Sequence, residues 1–190
     1  MKKIFLLFVL SITACASTAI APAEGAPSQI PATGQEDSMK FEITSSAFAN
    51  GESIPADYTC DGSGISPDLT WTEPPAGTQS FALIMDDPDA PGRTWVHWVL
   101  YDIPASSRGL SAGQPTDADL GDGSVQGKTS AGSTGYHGAC PPSGTHHYVF
   151  KLYAVDTKLS LSSNTDKAAL LAAMEGHMLA SAELIGTYDR

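Results

Sequence analysis

The sequence predicts a mostly β, antiparallel fold with one or two peripheral helices, and three observations carry that reading. Apolar runs of strand length recur along the chain, turns rich in Pro, Gly and Asp separate them, and a single segment has helical spacing. The 190 residues suit one domain with a real core, and 42% hydrophobic against 16% charged residues is ordinary globular composition. No internal repeat or coiled-coil period is visible.

The N-terminus stands apart from this pattern. Met1-Lys2-Lys3 followed by an apolar run from Ile4 to Ile12 has the shape of a secretory signal and is too short to span a bilayer. Ile12-Thr13-Ala14-Cys15 resembles a lipobox, which would make Cys15 a lipidated N-terminus. The alternative is ordinary cleavage at one of the small-x-small sites that follow. Either way the mature chain is exported, and a membrane is met only through that anchor. Residues 16–38, rich in Ala, Pro, Ser, Thr and Gln without apolar period, read as a flexible tether before a domain over residues 39–190.

Within the domain, Lys40 to Thr44 alternates like a half-buried strand, and Ile54 to Gly62 is extended and turn-punctuated. Leu69-Thr70-Trp71 is a short strand that must end before Pro74-Pro75. Ser80 to Met85 and Thr94 to Ile103 are apolar with little alternation, as central strands are. Residues 105–139 are mostly small and polar, so they lie over a site or lack regular structure. His147 to Val155 sets Tyr148, Phe150, Leu152 and Ala154 on one face. Asn164-Thr165-Asp166 can cap a helix reaching about His177, with Ala168, Leu171, Ala172 and Glu175 at helical spacing. Ala180 to Tyr188 is the last strand.

Net charge −11 argues against nucleic acid as a partner, because an acidic surface repels phosphate backbones. A single phosphate in a pocket remains compatible with it. With Cys15 in the signal region, Cys60 and Cys140 remain. Two cysteines in an exported domain usually pair, the alternative being two separate buried thiols.

Two polar clusters carry the chemistry. Asp86 to His97 is a Pro/Gly/Asp turn between two apolar runs, and Cys140 to Tyr148 is a Pro/Gly turn that delivers imidazoles to another strand. The first alone could be a solvated hairpin tip. Strand alternation places His146 with Tyr148 and turns His147 away. It also gives His97 the face of Trp95 and Val99, opposite Val96 and Trp98. Asp87, His97 and His146 would make a two-histidine, one-carboxylate set, yet no metal-ligand spacing such as HExxH supports a metal site. No serine sits in a G-x-S-x-G elbow, which argues against a hydrolase.

Asp86-Asp87-Pro88-Asp89-Ala90-Pro91-Gly92-Arg93, Trp95-Val96-His97-Trp98 and Pro141 to Tyr148 resemble the paired signatures of the phosphatidylethanolamine-binding protein family, nearest its bacterial Raf kinase inhibitor-like branch. The likeness extends to Tyr58 to Gly62, Ile65-Ser66-Pro67, Trp71 and Pro74 to Thr78. The resemblance implies a β-sandwich-like fold with a small anion pocket where the signatures meet. It places the pocket carboxylate on Asp87, the imidazoles on His97 and His146, the phenol on Tyr148 and the walls on Pro91 and Pro142. Cys140 stands where some relatives have Gly. Asp89 and Arg93 brace the turn, His147 points outward, and His137 and His177 have only surface or packing roles.

The expected ligand is a phosphate-containing small molecule or phospholipid head group, bound by imidazole, phenol and backbone donors without a cofactor or catalysis. The carboxylate beside the imidazoles favours their protonated form. The rival expectation is a protein-interaction role, inhibiting a kinase or protease through the same pocket. Eukaryotic relatives carry a C-terminal helix beside the pocket, a flank expected here to be open or covered by residues 105–139.

Overall fold

The computed structural model describes residues 40–190, so the signal segment, Cys15 and the tether lie outside the described residues. Every strand pairing is antiparallel, in two sheets. The smaller contains β1 (Ile43–Thr44), β2 (Leu69–Trp71) and β5 (Gly109–Leu110), in the order β1-β2-β5. The larger contains β3 (Ser80–Asp87), β4 (Trp95–Pro104), β6 (Val125–Gln126), β7 (Thr145–Val155) and β8 (Met178–Asp189), in the order β6-β4-β3-β7-β8. A 3-10 turn, Ala56–Tyr58, and one helix, α1 (Lys167–Met174), complete the elements.

The two sheets enclose the main core. Phe41 and Trp71 from the small sheet side meet Phe81 with ring centroids 6.1 and 5.3 Å apart, and Phe48 meets Phe150 at 6.0 Å. Tyr148, Phe150, Leu152 and Ala154 all face this core, as the alternation of β7 requires. A second apolar layer lies between the large sheet and α1, where Ala82, Ile84, Val99 and Tyr101 meet Leu170 and Met174. β3 is therefore buried along its whole length, which is why its sequence does not alternate.

The helix differs in its face from the expected one. Asp166 caps it, its Oδ1 accepting from the Ala169 N–H at 2.9 Å, but the buried residues are Leu170 and Met174. These two are four residues apart and share one face of the helix, with Leu171 partly buried beside them. The helix ends at Met174 because Gly176 takes a φ of +80°, letting the His177 N–H bond back to the Met174 carbonyl.

Residues 105–139 hold the short strands β5 and β6, and Gln126 fastens the part around β6. The Gln126 amide donates to the carbonyls of Pro115 (2.8 Å) and Asp117 (2.7 Å) and accepts from the Trp98 indole (2.6 Å), all inside the fold. Gln126→Ala is expected to lose about 3 kcal/mol of stability, since three hydrogen bonds go and buried partners are left unpaired. A urea titration with a lower midpoint and unchanged slope would show it.

β4 carries two bulges against β3. Met85 pairs with Trp98 and Asp86 with Val96, so His97 is surplus to the ladder. Phe81 pairs with Ile103 and Leu83 with Leu100, leaving Tyr101 and Asp102 opposite Ala82. Asp102 takes a φ of +56°, and its carboxylate accepts from the N–H groups of Leu159 (2.7 Å) and Ser160 (2.9 Å).

Candidate functional site

The bulge at His97 sets the site's geometry and corrects the face expected from alternation. Trp98 points into the core between the sheets, while Val96 and Val99 both pack on the helix side. One added residue brings His97 and Trp98 to the same side of β4, and His97 lines a cavity together with Trp95.

That cavity has a volume of about 300 Å³. Five of the seven expected binding residues line it: Asp87 from the end of β3, Pro91 from the turn, His97 from the bulge, and Cys140 and Pro142 from the loop before β7. Ala90, Trp95 and His137 complete the wall. His146 and Tyr148 stand behind it as supports. His146, 7% exposed, donates its Nδ1–H to Asp87 Oδ2 at 2.7 Å. Tyr148 is fully buried, its ring edge-on to His97 at 5.2 Å and its hydroxyl accepting from the Cys140 N–H at 3.1 Å. Burial, reinforced by the charge of Asp87, pushes the Tyr148 phenol well above its usual pKa.

Asp87 is buried and held on both oxygens, since Oδ1 accepts from the Asp89 N–H at 2.9 Å. His97 Nδ1–H donates to the His137 carbonyl at 2.8 Å, which fixes the neutral tautomer and leaves Nε2 with no protein partner among the described residues. The carboxylates were expected to favour protonated imidazole. For His97 burial outweighs the pull of Asp87 and Asp86 and holds its pKa below the ordinary histidine value.

The turn is braced as expected. Asp89 Oδ2 accepts from both the backbone N–H (2.8 Å) and Nδ1–H (2.7 Å) of His147, and these bonds hold its carboxyl below the usual range. The Arg93 guanidinium lies over the Trp95 ring at 5.8 Å. Asp86, the neighbour of Asp87, turns to the opposite face and meets Lys167 Nζ at 2.5 Å.

The assignment of His137 changes, and the expected cysteine pairing is found. His137, expected to have only a surface or packing role, lines the cavity and supplies the carbonyl that orients His97. Its position three residues before Cys140 was the available signal. Cys60 and Cys140 form a disulfide with Cα atoms 5.4 Å apart, tying the wall to the segment after the 3-10 turn. The Cys60 N–H bonds to the Ala139 carbonyl at 3.0 Å, and Gly138 permits the approach, for a Cβ there would stand 2.9 Å from the Thr59 carbonyl carbon.

Comparison with known proteins gives a consistent result. The family model for phosphatidylethanolamine-binding protein matches residues 44–189. A UPF0098 protein of Methanothermobacter thermautotrophicus is 51% identical over 150 residues, covering 79% of this chain and 99% of that one. The crystal structure of a putative phosphatidylethanolamine-binding protein homologue, CT736 of Chlamydia trachomatis, superposes with a TM-score of 0.73 at 40% identity, over 79% of this chain and 97% of the other. E. coli YbcL, described as a new member of the mammalian family, gives 0.73 at 36% identity, over 79% and 98%. With two antiparallel sheets and one helix among its described residues and both signatures at one cavity, the chain belongs to the phosphatidylethanolamine-binding protein family.

Proposed function

We propose that this chain is an exported binding protein, without catalytic activity, whose 300 Å³ cavity takes phosphate or a phosphate-bearing head group. The observation that carries the reading is His97, tied at Nδ1 to a carbonyl and left with Nε2 unpartnered at the cavity wall. A phosphate oxygen needs a donor there, so binding must add a proton to Nε2. Pro91, Trp95 and Pro142 supply apolar walls for the organic part of such a ligand. Asp87 is held by the His146 ring and the Asp89 N–H, which suits a rigid binding wall better than a general base. The Cys60–Cys140 bridge and the apolar run from Ile4 to Ile12 support export, with Cys15 as the candidate lipid anchor in the cell envelope.

The pH dependence follows in sign. Free His97 titrates below its ordinary value, and a bound anion raises that pKa, so the complex holds more protons than the free protein between the two values. Phosphoethanolamine affinity is expected to rise as pH falls from 8 to 5, by at most about tenfold per pH unit for one proton. Calorimetry in two buffers of different ionisation enthalpy would register the proton uptake. Affinity that is flat across this range, or that rises with pH, overturns the reading.

A further inference from the structure

A second cavity, of about 440 Å³, opens on the helix side of the large sheet. Arg93, Lys128 and Lys167 line it, against one carboxylate, Asp166. That is a concentration of cations in a chain with 10 basic and 21 acidic residues. Lys40, Arg108, Lys151, Lys167 and Arg190 are each paired with a carboxylate, but Arg93 and Lys128 are in no ion pair among the described residues. Even when Asp86 is set against Lys167, the balance in the cavity stays positive.

One hydroxyl between the cations is a free donor. Ser130 Oγ accepts from the Val96 N–H at 2.9 Å, which leaves its own proton to donate. Asp166 is occupied by its capping bond to the Ala169 N–H, and the attraction is argued from the side chains. Val96 and Leu171 give the cavity an apolar floor.

We propose that this cavity is a second ligand site, separate from the one beside His97, and that it takes a small multiply charged anion bound by Arg93, Lys128 and the Ser130 hydroxyl. Two unpaired cations beside a free hydroxyl match paired anionic groups, each taken by one cation. Because the ionic contacts are partly exposed, binding weakens with salt.

The test is an amide NMR titration of the intact protein with pyrophosphate and, separately, with citrate. Saturable shifts at Val96, Lys128, Ser130 and Ala168 with either anion are expected, and the two arms distinguish phosphate from carboxylate chemistry. Lys128→Gln should weaken binding at least tenfold and Lys128→Arg should retain it. Phosphoethanolamine shifts at His97, His137 and Cys140 should be unchanged in Lys128→Gln, and that arm separates this proposal from the function proposed above. Arg93→Gln is the second variant, and well-dispersed spectra establish that each variant is folded. No saturable shift around Lys128 with either anion, shifts confined to the His97 cavity, or affinity within twofold of wild type in Lys128→Gln would overturn it.

Discussion

Replacing Cys60 and Cys140 together by serine is expected to lower stability by about 4 kcal/mol, the largest loss foreseen for any change at the site. The two residues are 80 positions apart, and joining them removes closure entropy from the unfolded chain. The chain-entropy relation gives about 3 kcal/mol for a 15-residue loop and about 4.7 kcal/mol for 100 residues. Urea unfolding would show a lower midpoint together with a steeper slope, because the uncrosslinked unfolded chain exposes more surface. The site should suffer too. Cys140 lines the cavity and its N–H is held by the Tyr148 hydroxyl, so phosphoethanolamine affinity should fall with the bridge. An unchanged midpoint would mean that the native state releases strain equal to the entropy lost.

Asp87→Ala is the second large effect, with an expected loss of about 3 kcal/mol. Asp87 and His146 are almost fully buried, and Asp87 takes hydrogen bonds from the His146 ring and the Asp89 backbone. Removing it leaves a buried imidazole N–H without an acceptor, which costs more than the bond itself contributed. It also frees the turn, since the Asp89 N–H loses its partner. Asp87→Asn keeps one acceptor oxygen and should lose less. Thermal unfolding ranks the three proteins, and the downfield His146 Nδ1–H resonance should vanish in Asp87→Ala. Equal stability of Asp87→Ala and Asp87→Asn would remove the hydrogen bond as the cause.

Those two residues were legible in the sequence, and the reasons differ from those that hid the rest. β3, β4, β7 and β8 announce themselves as apolar runs between turns, and β7 shows its faces because one side is half exposed. β5 and β6 have two residues each, too few to show any period. Apart from His97, Trp95 to Leu100 is apolar on both sides of the sheet, and plain strand alternation assigns His97 a face without accounting for a bulge. The helix face was misread because Ala and Leu recur at several spacings around Lys167–Met174, and the sheet selects Leu170 and Met174. At the site, Asp87, Pro91, His97, Cys140 and Pro142 reach the cavity, whereas His137 acts partly through a backbone carbonyl, which no side-chain pattern reports.

The bulge at His97 lets the proposed binding site and the fold change independently. If residue 97 were removed on paper, Val96 and Trp98 would follow each other opposite Asp86 and Met85, and the sequence Trp-Val-Trp-Val-Leu would alternate between the two layers without interruption. The imidazole is thus an insertion into an otherwise regular run from Trp95 to Leu100. Ladder register and layer assignment are encoded by its neighbours, and the side chain at 97 is free to be exchanged with little effect on which residues pair. Selection on ligand chemistry can therefore act at this position while selection on folding acts on the residues either side of it.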